Sequence, residues 1–283
     1  MTVETLRQKA KVLIEALPYI RRYQDKIVVI KYGGKAIKKD KFLQKSVLTD
    51  VVLLKNVGLH PVIIHGGGPL ATKMMKQAKL TPQFINGLRV TDAATMQIVE
   101  KAFTRINHEI VDILTDCGAK AIGIIGDEIR LLQVTAMNKQ LGYVGKVRKV
   151  NVGVLKALLK DDYIPVIAPV GIGPKGMTYN INADSVATAI AQTLKAEKLT
   201  LLTDVDGVYV KDRFVNHLGI KETKKLIREG VITSGMIPKV QACISAVQKG
   251  VKKAHLVNGT VEHALLLEIF TDEGIGTEIV KKR

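Results

Sequence analysis

Residues 26–34 read Lys-Ile-Val-Val-Ile-Lys-Tyr-Gly-Gly, and residues 61–69 read Pro-Val-Ile-Ile-His-Gly-Gly-Gly-Pro. Each is a short β-branched run that ends in glycines. A run that is apolar at every position predicts a strand buried on both faces. Glycines at the carboxyl end of such a strand let the backbone approach a ligand and turn its N–H groups outward. A helix that follows adds the positive end of its dipole. The Gly66–Gly68 stretch meets each condition, with Pro69 near the helix start. A tight strand-to-helix turn is the plainer reading, but three glycines in a row exceed what turn geometry needs. Lys31 stands two residues before Gly33-Gly34, in a strand otherwise built of Ile and Val. An ammonium there is costly unless it reaches a polar cleft or snorkels to the surface.

Working outward, strands are predicted over 26–32, 61–65, 163–169, 198–204, 254–257 and 277–280, and a hairpin-like region over 120–125 and 129–135. Helices are predicted over 40–56, 69–77, 92–117, 152–159, 183–194, 221–228, 239–249 and 261–269. This alternation predicts an α/β fold, a mostly parallel central sheet with helices on both faces. Such sheets bind ligands at the carboxyl ends of their strands, where both glycine turns lie. The Gly- and Pro-rich stretch Gly171–Gly176 is the best lobe boundary. Val3, Leu6, Ala10, Leu13, Ile14 and Leu17 recur at helical spacing before the first strand. Charged residues interrupt them, so residues 1–24 read as an amphipathic helix, stopped near Pro18, and not as a signal peptide. It packs either on its own domain or on another subunit.

Composition narrows the partners. The 283 residues are 47% hydrophobic and 4% aromatic, with no Trp and a net charge of +17. The charge favours anionic ligands. The lysines are scattered, with no arginine-rich arm and no aromatic stacking series, so no nucleic-acid partner is expected. No apolar run approaches the ~18 residues of a membrane helix, so no membrane partner is expected. Cys117 and Cys243 lie far apart, outside any metal spacing, and read as free thiols in a reducing compartment.

Two other phosphate-binding patterns can be set aside. A P-loop needs a Gly five residues before its Gly-Lys pair, which neither Gly34-Lys35 nor Gly145-Lys146 has. Gly171–Gly176 has the letters of a dinucleotide fingerprint, but the residues after it do not read as a helix, so an oxidoreductase reading is weak. Two further clusters carry polar groups. Lys239 follows the turn Gly235-Met236-Ile237-Pro238, and Asn180-Ile181-Asn182-Ala183-Asp184 opens a helix. Asn182 can cap that helix, which accounts for one of the three polar residues.

These motifs, together with Asn86-Gly87-Leu88-Arg89-Val90-Thr91 and Thr203-Asp204-Val205-Asp206-Gly207-Val208-Tyr209, occur in one order. From about residue 10 to its end the chain resembles the acetylglutamate kinases of the amino acid kinase family, in their arginine-sensitive type. The resemblance implies a phosphotransferase that moves the ATP γ-phosphoryl group to the side-chain carboxylate of N-acetyl-L-glutamate, in arginine biosynthesis. It implies Lys31, Lys239 and Asp184 as catalytic residues, with Asp184 holding both lysines. Gly33, Gly34 and Gly66 would bind phosphate, and Gly67, Gly68, Arg89 and Asn180 the substrate. Asp204, Val205, Asp206, Gly207, Val208 and Tyr209, with Val231, Ile232 and Thr233, would line the nucleotide site. Mg²⁺ would bridge the ATP phosphates without direct protein ligands. Residues 25–173 would form the lobe binding the amino acid and residues 174–283 the lobe binding ATP.

The resemblance further implies arginine feedback near Tyr19, His263, Glu273 and Gly274. It also implies a hexamer, a trimer of dimers linked through the N-terminal helix, and suits binding of a PII signalling protein. A cytoplasmic or plastid-stromal location fits the chain. Two departures stand out: Lys35 where a small polar residue is usual, and the turn Ile125-Gly126-Asp127-Glu128 where a Ser-Gly-Lys-Asp-like turn is usual. An aspartokinase-like enzyme and a non-catalytic regulatory protein on the same fold are the alternatives. Arg89 and Asn180 argue against the first, and Lys31, Lys239 and Asp184 together against the second.

Overall fold

The computed structural model describes residues 2–33, 41–233 and 235–281. The chain begins with helix α1 (Val3–Tyr23), strand β1 (Ile27–Tyr32), α2 (Lys41–Asn56), β2 (His60–His65) and α3 (Gly68–Gln77). There follow the small hairpin β3 (Phe84–Ile85) and β4 (Leu88–Arg89), then α4 (Ala93–Asp116), β5 (Ala121–Ile125), β6 (Leu132–Ala136), β7 (Gly145–Val150) and α5 (Val152–Lys160). Next come β8 (Ile164–Ala168), β9 (Val170–Ile172), β10 (Thr178–Asn180), α6 (Ala183–Leu194), β11 (Lys198–Thr203), β12 (Val208–Val210) and β13 (Arg213–Val215). The chain closes with β14 (His217–Gly219), α7 (Ile220–Arg228), α8 (Ile237–Gln248), β15 (Lys253–Asn258), α9 (Ala264–Ile269) and β16 (Thr277–Val280).

Eight strands form the central sheet in the order β14-β16-β15-β11-β1-β2-β8-β5. All neighbours are parallel except β15 and β16. Residues along β1 alternate between the two faces. Val28, Ile30 and Tyr32 pack with α2, α4 and α9, while Val29 packs with α5, α6 and α8. Lys31 shares the face of Val29, which turns it towards α6. The sheet thus runs unbroken from the first half of the chain to the second, with β1 at its centre.

Two expectations, the hairpin-like unit and the helix stop near Pro18, need correction. Residues 120–125 and 129–135 do not form a hairpin-like unit. β5 pairs in parallel with β8, whereas β6 pairs antiparallel with β7 in a separate four-stranded sheet, β10-β9-β6-β7. A short helical turn with left-handed Ile129 and Arg130 separates β5 from β6. The Gly171–Gly176 stretch is part of an antiparallel hairpin, β9 to β10. The helix expected to stop near Pro18 continues through it to Tyr23. Proline removes one helical N–H, and the last turn is held by other means: Tyr23 is buried, and the Tyr19 hydroxyl donates to Asp272 Oδ1 at 2.5 Å. Upstream of Pro18 the helix is exposed, with Val3, Leu6, Val12, Leu13 and Ile14 all more than half accessible. The start of the helix expected from Asp40 lies outside the described residues, as do Gly34 and Lys35.

Candidate active site

The carboxyl ends of β1, β2, β8 and β11 converge on one crevice. Lys31, the fifth residue of β1, extends under the first turn of α6, where its Nζ lies 3.0 Å from Asp184 Oδ1. Lys239, in the first turn of α8, approaches Asp184 Oδ2 at 3.7 Å from the other side. Asn182 caps α6 by accepting from Ser185 N at 3.0 Å, which fixes the turn that carries Asp184. Burial raises the Asp184 carboxyl, but the Lys31 and Lys239 ammoniums outweigh it and hold the group below the usual carboxylate range. Two cations on one anion leave this buried centre with an excess positive charge.

The glycine turns stand beside it. The Gly66 N–H donates to Tyr32 O at 2.7 Å, so it extends the β1–β2 ladder and does not face the crevice. The expectation that Gly66 donates to a phosphate is corrected to that extent; among the described residues the Gly67 and Gly68 N–H groups make no such backbone bond. Gly67 is required for space, because a Cβ there would lie 2.4 Å from Phe103 Cδ1. Gly34, expected beside Gly33, lies outside the described residues.

Arg89 lies at the end of the β3–β4 hairpin, 8% exposed. Its Nη2 donates to Gly68 O at 3.0 Å and to Thr72 Oγ1 at 2.7 Å, and its guanidinium stands 4.8 Å from the Phe84 ring centre. Burial lowers its pKa. Among the described residues no carboxylate pairs with this buried cation. Arg89, Gly67, Gly68 and Asn180 line one pocket, closed on the far side by Asn182 and Ala183, next to Asp184. The expected acceptor-site residues therefore come together, and they adjoin the lysine–aspartate centre.

Sequence reasoning missed the roles of four supporting side chains. His65 is fully buried, and burial lowers its pKa to about 4 despite its bond to the Gly66 carbonyl. It is neutral at pH 7, with Nδ1 3.0 Å from Gly66 O and Nε2 3.1 Å from Asn107 Nδ2. Since a carbonyl only accepts, Nδ1 carries the proton and Nε2 accepts from the amide. Asn107 also donates to Val166 O at 2.9 Å. A polar residue on the apolar stripe of α4, between Phe103 and Ile110, was the signal that could have revealed it. Thr72 and Thr91 had no comparable signal.

The residues expected around the nucleotide are more open. Asp204 to Tyr209 follow β11 at the same end of the sheet. Asp206 accepts from Asn258 Nδ2 at 2.7 Å and from the Tyr209 hydroxyl at 3.2 Å. Val205, Tyr209 and Val231 are exposed, whereas Val208 and Ile232 are core residues, and Gly207 packs against Thr277. The side chains of Ile232 and Val208 are thus closed to a nucleotide, and their N–H groups already donate to Leu226 O and Thr277 Oγ1.

Of the residues expected for arginine, Tyr19, Glu273 and Gly274 line a pocket at the opposite end of the sheet, with Lys198, His255, Glu268 and Glu278. His263 is elsewhere. Its Nδ1 lies 2.6 Å from Asp50 Oδ1 on α2, and its N–H donates to Ser46 Oγ. Its left-handed backbone also delays α9, expected from Val261, to Ala264.

The sequence profile described as the amino acid kinase family matches residues 26–258. The chain belongs to the amino acid kinase family. Within it, the chain is 50% identical over 281 residues to an acetylglutamate kinase of Thermoanaerobacter pseudethanolicus, covering 97% of this chain and 94% of that one. It is 48% identical over 293 residues to an acetylglutamate kinase of Pelobacter propionicus, covering 99% and 100%. Among solved structures, an N-acetylglutamate synthase from Neisseria gonorrhoeae, complexed with coenzyme A and N-acetyl-glutamate, superposes with a TM-score of 0.88 at 25% identity. That match covers 97% of this chain but 64% of the synthase. A carbamate kinase from Giardia has the same fold, with a TM-score of 0.69 at 17% identity over 91% and 99% of the two chains. Among the described residues no helix is long and apolar enough to cross a membrane.

Proposed function

We propose that this member of the amino acid kinase family transfers the γ-phosphoryl group of ATP to the side-chain carboxylate of N-acetyl-L-glutamate, the acetylglutamate kinase reaction of arginine biosynthesis. The observation that carries the reading is Lys31–Asp184–Lys239, a buried centre with excess positive charge, placed against a pocket whose Arg89 has no carboxylate partner among the described residues. The near-full-length identity to acetylglutamate kinases supports the choice of acceptor.

The acceptor carboxylate is already ionised at neutral pH, so no general base is required. One of its oxygens forms a bond to the γ-phosphorus, the bond to the β–γ bridging oxygen breaks, and ADP leaves with that electron pair. The protein's task is positioning and charge compensation. Arg89 holds the α-carboxylate, Asn180 the acetamido group, and the Gly67 and Gly68 N–H groups face the acceptor. Lys31 and Lys239 approach the transferring phosphoryl group from two sides, and Asp184 fixes both. ATP lies along the second half of the chain, residues 174–283, against Asp204–Tyr209 and Val231–Thr233; residues 25–173 supply most of the acceptor pocket. No group of three or more His, Cys, Asp or Glu among the described residues suits a metal ion, and both Asp184 oxygens face lysines. Mg²⁺ would arrive with ATP and would supply partial neutralisation of the phosphate charge.

Hydroxylamine trapping of the acyl phosphate, with ATP and a panel of N-acetyl-L-glutamate, aspartate and carbamate, tests the reading. Product from N-acetyl-L-glutamate alone supports it; product from aspartate or carbamate instead removes it.

Regulation belongs to the same reading. The pocket of Tyr19, Glu273 and Gly274 has the exposed Glu273 carboxylate on its rim, a setting that suits the guanidinium of arginine. The exposed apolar side of α1 suits packing on another subunit, in a hexamer built as a trimer of dimers. A PII-type partner remains compatible with it. Arginine that leaves turnover unchanged, or a chain lacking residues 1–22 that stays hexameric, would remove the respective part.

A further inference from the structure

Thr91 is fully buried between the two residues that hold the acceptor, and its hydroxyl touches both. Its Oγ1 donates to Arg89 O at 2.8 Å and accepts from Asn180 Nδ2 at 3.2 Å. The order of these bonds is forced. The Arg89 carbonyl only accepts, so the single hydroxyl proton goes to it. The lone pairs of Oγ1 then receive the Asn180 amide NH₂. The Thr91 backbone is fixed as well: its N–H donates to Leu141 O at 2.9 Å, and its O accepts from Tyr143 N. Gly142 allows this closure, since a Cβ there would lie 2.3 Å from Thr91 O and its φ is +67°. Asn180 is tied to the same segment through its N–H, which donates to Tyr143 O at 2.9 Å.

We infer that Thr91 is a positioning residue that sets the orientation of the Asn180 amide, so that Asn180 presents its carbonyl oxygen to the pocket and selects acceptors bearing an N–H donor beside the carboxylate. The inference rests on the functional reading above and deepens it. With Nδ2 engaged, Oδ1 is the Asn180 group that has no donor among the described residues, in a pocket that Asn180 lines. An N-acylated amino acid supplies such a donor. Its ester analogue, with oxygen in place of the amide N–H, would set two acceptors against each other, and a buried acceptor left unpaired is costly. Thr91→Val keeps the shape but removes both the proton and the lone pairs, so the Asn180 amide is free to turn over.

The test compares kcat/KM for N-acetyl-L-glutamate and for 2-acetoxyglutarate in the wild-type chain, Thr91→Ser and Thr91→Val. Wild type should favour the amide by on the order of 100-fold or more. Thr91→Ser should keep that ratio. Thr91→Val should lower it at least about tenfold, mainly through KM for the acceptor, with KM for ATP unchanged. A Thr91→Val enzyme that keeps the wild-type ratio overturns the inference. So does a wild-type enzyme that uses ester and amide equally well, a result that stands even if Thr91→Val does not fold. Absence of turnover with N-acetyl-L-glutamate in wild type, by contrast, removes the functional reading and the inference with it.

Discussion

Both ends of the central sheet bury lysines against carboxylates, yet the two clusters differ in balance. At the carboxyl end, one carboxylate, Asp184, faces two lysines. At the amino end, Glu268 and Glu278 share Lys198, Lys253, His255 and His217. Glu268 accepts in addition from the Ile275 and Gly276 N–H groups at 3.0 Å, so each carboxylate there has several partners. The first cluster lacks negative charge and opens on glycine turns, which suits a site that must bind a migrating anion. The second is saturated and, around Lys198, closed from solvent, which suits a cluster that holds β11, α9 and the last strand together. Buried ion pairs are therefore not one device: the ratio of charges and the access to solvent separate a reactive centre from a clamp.

The sharpest break between the two comes from removing one charge at each end. Glu268→Gln leaves Lys198 buried without its counter-ion, and should cost about 3–5 kcal/mol in denaturant unfolding. Turnover of the folded fraction should stay within about threefold of wild type, because the change lies at the far end of the sheet. Lys31→Ala should do the reverse. Its kcat should fall by about 10²–10³, with acceptor and ATP KM values much less altered. Near-normal turnover in Lys31→Ala, or an inactive but stable Glu268→Gln, would erase the distinction.

Acid sharpens the comparison further. Burial raises the Glu268 carboxyl, but the hydrogen bond from His255 and the charge of Lys198 outweigh it and hold it at about 2, below its ordinary 4.5. A depressed carboxylate contributes stability that is present above its unfolded pKa and lost as pH falls through the folded one. The loss therefore falls between about pH 5 and pH 2, and amounts to about 3 kcal/mol. Unfolding free energy followed over that range should decline, and Glu268→Gln should decline less. Equal slopes in the two proteins would take Glu268 out of the acid response.

Arg89→Ala carries a smaller effect, about 1.5–3 kcal/mol, read as a roughly 10- to 100-fold rise in acceptor KM. Its kcat and ATP KM should move little. An unchanged acceptor KM would take Arg89 out of the pocket.

How far the sequence foretold this arrangement depends on where each residue's partners lie. The central strands were legible, because burial on both faces writes unbroken apolar runs such as 27–30, 61–64 and 164–168. The glycine turns and the Asn182 cap were legible because their reasons are local. The small sheet β10-β9-β6-β7 was not, since three-residue strands such as β9 and β10 carry too little pattern. The run of α1 through Pro18 depends on Asp272 and on burial of Tyr23, both remote from the proline in sequence. Lys198 looked like an ordinary strand edge, and its partner Glu268 stands 70 positions away. The same distance hid the pairing of Thr91 with Asn180, across 89 positions, and that of His263 with Asp50 on α2.

Single-turnover trapping of the acyl phosphate tests most directly whether the carboxyl end of the sheet is the place of phosphoryl transfer. Wild type mixed with excess N-acetyl-L-glutamate and limiting γ-labelled ATP should yield hydroxylamine-reactive label, and Lys31→Ala, at saturating substrates, should form it at least about 100-fold more slowly. Label trapped at an equal rate by Lys31→Ala, or no acyl phosphate from wild type, would contradict the assignment.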